Sequence, residues 1–121
     1  MEDAFSSLTK SEGVILSLRN GTEIARISSN EIYYIEVLGH YVSIHTASET
    51  RQYPASISSL ENQLKDAGFF RCHKSFLIHF RYIARILPSS VLTADGSENP
   101  ISKHRRKELL TAFAVYEGRQ L

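Results

Sequence analysis

Cysteine occurs once in this chain of 121 residues, tryptophan not at all, and methionine only as Met1. A lone Cys72 cannot close an internal disulfide, and its solitude fits a reducing cytoplasm. Long apolar runs are missing too, and MEDAFSSLTK lacks the charged and apolar regions of a signal peptide, so no membrane association is expected. The five histidines (His40, His45, His73, His79 and His104) show no CxxC, HxxxH or paired-carboxylate spacing around them. Cys72 and His73 are neighbours that would point to opposite faces of a strand, so no metal site is expected. The six glycines are scattered turn residues and form no phosphate cradle. No nucleophile elbow flanks Cys72. The chain therefore reads as having no catalytic residue and no cofactor. Cys72 is expected to be a buried structural thiol; a redox switch is the alternative, since Arg71 and Lys74 flank it.

What is present is a core for one domain, with 42% hydrophobic residues, and an uneven charge distribution under a net charge of +1. Residues 1–70 carry five basic residues against nine acids, whereas residues 71–107 carry eight against two. The basic half is centred on FFRCHKSFLIHFRYIAR, from Phe69 to Arg85, where apolar residues alternate with Arg71, His73, Lys74, Arg81 and Arg85 and no acid intervenes. That alternation predicts strands. A basic face of this kind points to a polyanion, to an acidic protein partner or to a merely solvated face.

Met1 to Glu12 reads as a polar tail or a linker remnant. Val14–Leu18 and Glu23–Ile27 flank Asn20-Gly21, a strong hairpin signal, and Ser28 to Glu31 predicts one helical turn. Ile32–Leu38 and Tyr41–Thr46 are strands joined at Gly39-His40, with His40 at the loop tip, and Arg51–Pro54 follows as a short strand. Ile57, Leu60 and Leu64 recur at helical spacing, with Ser58 and Glu61 placed for a capping box and Gly68 beyond the end. Strands are then expected at Phe69–Cys72, Ser75–His79 and Tyr82–Leu87, and a hairpin at Ser90–Thr93 and Ser97–Ile101 around Asp95-Gly96. Ser102 is the expected N-cap of a last helix with Leu109, Phe113 and Tyr116 on one face, closed by Gly118. Its first turn would hold Lys103, His104, Arg105, Arg106 and Lys107, which oppose the helix dipole; such a broken rule marks a binding site. The fold class is thus mainly β, with one short middle helix and a C-terminal helix.

Helix-turn-helix spacing, zinc-finger ligands and an RNP motif are all missing. Yet EIYYIEVLGHYVSIHT, a short helix, FFRCHKSFLIHFRYIARI and ISKHRRKELL together resemble the LytTR family of bacterial DNA-binding domains. The most specific piece is Phe70-Arg71-Cys72-His73-Lys74-Ser75-Phe76, and the likeness runs from residue 13 to 118, leaving 1–12 and 119–121 as tails. The resemblance implies an elongated stack of antiparallel sheets. It implies the output domain of a response regulator or a stand-alone transcription regulator, since twelve residues are too few for a receiver domain. Its loops would enter the major groove of double-stranded promoter DNA at paired repeats, as a homodimer or in tandem. Carried over by position, His40, Lys74 and His104 would read bases, and Arg71, Lys103 and Arg105 would contact phosphates. Tyr41, His73 and Ser75, in the same loops, complete the expected DNA-binding set. His79 stands where the family commonly has asparagine, which is expected to change local hydrogen bonding and add a basic contact. His104 stands where arginine is frequent, giving weaker or pH-sensitive guanine readout.

Overall fold

The computed structural model describes residues 13–119. The expected tail at residues 1–12 and the last two residues lie outside that range. The first hairpin pairs β1 (Ile15–Asn20) with β2 (Glu23–Ser28), followed by a 3-10 turn at Ser29–Glu31. Five strands then form the central antiparallel sheet: β3 (Ile32–Leu38), β4 (Tyr41–Thr46), β5 (Thr50–Tyr53), β6 (Phe69–His73) and β7 (Phe76–His79), in the order β5-β4-β3-β7-β6. Helix α1 (Ile57–Gln63) links β5 to β6. After a 3-10 turn at Phe80–Tyr82, β8 (Ile83–Ile86), β9 (Ser90–Thr93) and β10 (Glu98–Pro100) make a third antiparallel sheet. A 3-10 turn at Lys103–Arg105 leads into α2 (Arg106–Arg119). The chain is mainly β, as its patterning predicts.

The central sheet is covered on both faces. On one, Ile35, Val42, Ile44 and Leu77 pack with Leu16 and Leu18 of the hairpin and with Ile57, Leu60 and Leu64 of α1 and its C-cap. On the other, Tyr34 and Ile78 pack with Val91, Ile101 and Leu109, against which Phe113 and Tyr116 of α2 also lie. Burial on both faces explains why Leu77, Ile78 and His79 are buried in succession rather than alternately.

Several local expectations are corrected. Ser56, not Ser58, caps α1: it has extended backbone and accepts from the Ser59 N–H at 3.3 Å. Ser58 and Glu61 are instead both hydrogen-bonded by Arg71, so the capping box never closes. Ser102 has extended backbone but makes no side-chain cap bond, and three of the five basic residues sit in a 3-10 turn before α2 starts. Gly118 does not end α2, which runs to Arg119. The strand expected from Tyr82 begins at Ile83, because Phe80–Tyr82 turn first. Gly68 does follow α1 as expected, at φ +87°; a Cβ there would also stand 3.2 Å from Tyr116 and 3.3 Å from His79.

Candidate nucleic-acid interface

Strand direction decides which loops meet. β3 and β6 both run toward one end of the central sheet, and β4 and β7 both leave it. The Gly39-His40 turn and the Lys74-Ser75 turn therefore share that end, tied together where the Val37 N–H donates to the Ser75 carbonyl at 2.9 Å. Gly39 supplies the left-handed backbone of the first turn at φ +63°. The segment after β10 closes the outer edge of β6: the Ser102 N–H donates to the Cys72 carbonyl at 2.8 Å and Arg105 Nε to the Arg71 carbonyl at 3.2 Å. At about 4.8 Å per strand, the two turns stand about 10 Å apart and residues 102–105 about 17 Å from the first turn. This row is wider than a single major groove of about 12 Å.

The side chains in the row divide into two kinds. His40, Tyr41, Lys74, Lys103 and His104 are exposed, and among the described residues the cations Lys74 and Lys103 have no ion-pair partner. Arg71 and Arg105, both half-buried, are committed to partners within the protein. Arg71 Nη1 donates to Ser58 Oγ at 3.0 Å and Glu61 Oε1 at 3.1 Å, while its Nε donates to the Lys74 carbonyl at 3.2 Å. Arg105 pairs with Glu108 at 3.1 Å and lays its guanidinium 4.9 Å from the Phe70 ring centre. Their geometry is that of residues that shape the turn and the edge. His73 Nδ1 accepts from the Ser75 N–H at 3.1 Å, so the neutral ring carries its proton on Nε2. Glu61, Arg71, His73, Lys74, Ser102, His104 and Arg105 line one open cleft of about 320 Å³. Sequence reasoning missed Glu61 as part of it, and Ser58 as the second acceptor for Arg71 Nη1; opposite charge ten residues from Arg71 was the only signal.

Two parts of the basic stretch lie elsewhere. Arg81 lies beyond the far end of β7, so the four-residue length of that strand, about 13 Å, separates it from the Lys74 turn, and its guanidinium is 5.7 Å from the Tyr82 ring centre. Arg85 is on β8 of the third sheet. The single basic face expected from the alternation is thus split by the turn at Phe80–Tyr82. Nor does His79 add a basic contact: it is 2% exposed, and burial, helped by the Arg81 charge, lowers its pKa to about 4. Its Nδ1 accepts from the Arg81 N–H at 3.1 Å and so caps the 3-10 turn. Asparagine, common at this position in the family that the sequence resembles, can make the same bond through its side-chain oxygen.

Cys72 is fully buried, with Sγ 3.4 Å from the Pro100 carbonyl oxygen. Burial pushes its thiol up to about 12. The redox alternative needs an accessible thiolate and finds none. A thiol reagent at pH 8 is expected to leave the native protein unmodified and to label one group after denaturation; rapid native labelling would restore the redox reading. Among the described residues, no three His, Cys, Asp or Glu side chains gather as a metal would need, and no helix is long and apolar enough to cross a membrane.

A family model described as the LytTr DNA-binding domain matches residues 10–114. The sensory transduction protein LytT of Bacillus subtilis is 28% identical over 99 residues, covering 78% of this chain and 41% of that protein. The transcriptional regulatory protein YpdB of Escherichia coli is 34% identical over 59 residues, 49% of this chain and 24% of that one. This chain therefore spans about two fifths or less of the length of these relatives. A solved LytTr DNA-binding domain from Bacillus cereus superposes with a TM-score of 0.70 at 19% identity, covering 81% of this chain and 94% of its own, and so shares the fold.

Proposed function

Because the chain belongs to the LytTr DNA-binding domain family, we propose that it recognises a specific double-stranded DNA sequence as the DNA-binding part of a bacterial transcription regulator acting in the cytoplasm. One observation carries this reading: the fold gathers His40, Lys74, Lys103 and His104 from three separate loops, with Tyr41 at the start of β4, onto one end and edge of the central sheet. Lys103 neutralises a phosphate, and phosphate contacts supply most of the affinity. His40, Lys74, His73 through Nε2–H, and His104 offer hydrogen bonds to base edges in the major groove. Arg71 and Arg105 act from behind, the first holding the Lys74 carbonyl and the second holding residues 102–105 against β6. A row wider than one groove favours contact on both sides of a phosphate backbone. Paired sites would then be filled by two copies of the chain, with a receiver domain or partner regulator supplying the signal.

Selection of bound duplexes from a random library, with affinity followed against salt, tests this. A recurring motif whose affinity falls steeply with salt is the expected result. Binding without a motif would leave a non-specific DNA binder. No binding at low salt would overturn the reading and turn attention to acidic protein partners. On the selected motif, His40→Ala is expected to relax preference at one position, measured by repeating the selection with the variant. Equal losses on motif and random DNA would remove His40 from the base-reading set.

A further inference from the structure

Next to the loop residues that the proposed reading uses, the same end of the sheet carries an exposed apolar side chain, Leu38. It is 43% exposed and faces Tyr41, 41% exposed, in the last rung of the β3–β4 hairpin, on either side of Gly39-His40. Alternation puts Leu38 on the face of Tyr34 and Glu36, away from the core that takes Val37. On its other side, β3 and β7 pair Glu36 with Phe76, so two residues further on Leu38 stands level with Lys74. The row across the sheet end therefore runs Tyr41, Leu38, Lys74, with His40 at its tip. The other large apolar side chains exposed among the described residues (Val14, Ile15, Ile24, Leu110 and Val115) lie at the first hairpin or on α2.

A leucine can neither donate nor accept a hydrogen bond, so pressing it against a phosphate or a polar base edge would strip water without return. Base edges in the major groove offer one apolar group, the C5 methyl of thymine. From this placement we infer that Leu38, backed by Tyr41, is a specificity-determining residue that packs against a thymine methyl beside the position read by His40. The inference rests on the DNA-reading function proposed above and deepens it, since hydrogen-bonding residues alone would give this loop no preference for the methyl.

The test replaces each thymine of the selected duplex singly by deoxyuridine, which removes the methyl and keeps the Watson–Crick edge. Native protein is expected to lose affinity about fourfold at one thymine, the equivalent of exposing one methyl group. Leu38→Ala should bind the thymine duplex more weakly and show no further loss at that position, with all other positions responding as in native protein. Leu38→Gln, which keeps the length but not the apolar surface, should behave the same way, so a folding defect in one variant does not decide the matter. If a motif is found but native protein and both variants respond alike to every deoxyuridine, this inference falls and the DNA-reading function stands. If no motif is found, both fall.

Discussion

His79→Asn is expected to remove about 3 kcal/mol of acid sensitivity from the native state. The His79 ring is 2% exposed, lies 4.4 Å from the Phe69 ring centre and 5.4 Å from that of Tyr82, and holds its proton on Nε2, because Nδ1 accepts from Arg81. That Nε2 has no hydrogen-bond partner among the described residues. Burial first, and the Arg81 charge second, lower its pKa from 6.5 to about 4. The unfolded chain takes up this proton near pH 6.5 and the native one only near pH 4, so between those values the unfolded state binds more protons. Stability is therefore fully present above about pH 6.5 and is lost as pH falls toward 4. Asparagine keeps the cap on the 3-10 turn and has nothing to titrate. It also gives up the ring contacts, so the variant is expected to be less stable at pH 7 yet flatter toward acid. Urea unfolding from pH 8 to pH 4 reads this out, since the carboxylates common to both proteins cancel in the difference. Parallel stability curves would show that His79 titrates normally.

Arg71→Ala is expected to lower affinity for the selected motif about tenfold or more, and for random duplex only severalfold. The family likeness alone assigns Arg71 to phosphate, which predicts equal losses on all sequences and a salt slope lower by about one unit. Its geometry supports a different role. With Nη1 on Ser58 and Glu61, and Nε on the Lys74 carbonyl, the guanidinium joins α1 to the β6–β7 turn, and its charge is already met by Glu61 at 3.1 Å. Removing it releases the turn that carries Lys74 and leaves a carboxylate in the cleft. Arg71→Lys should not restore motif binding, because an ammonium cannot span three acceptors in one plane. Glu61→Gln separates the two roles. If Arg71 binds phosphate, freeing it should tighten binding to every duplex, whereas a positioning role predicts weaker discrimination between motif and random DNA. Anisotropy titrations on both duplexes at several salt concentrations measure each outcome.

The sequence by itself determined most of the strands, the two helices and the family. The Asn20-Gly21 signal and the runs IYYIEVL and YVSIHT around Gly39-His40 are strong enough to place strands within two residues, although Asn20 ends β1 paired with Glu23 and the turn itself is Gly21-Thr22. The helical spacing of Ile57, Leu60 and Leu64 likewise fixed which face of α1 is buried. Tertiary structure decided which charges share a surface. Arg71 and Arg81 are ten residues apart in one alternating stretch, but β7 carries the chain from one end of the sheet to the other between Lys74 and Arg81. Ser58 and Glu61 have the spacing of a capping box, yet an arginine from a neighbouring strand took both, because a part-buried guanidinium needs acceptors more than a helix start already capped by Ser56 does. His79 looks like another base in a basic run, and only its burial against Phe69 and Tyr82 makes it a neutral cap. Local patterns set the backbone because they act within a few residues; pairing of charges depends on strand order and register, which no short stretch encodes.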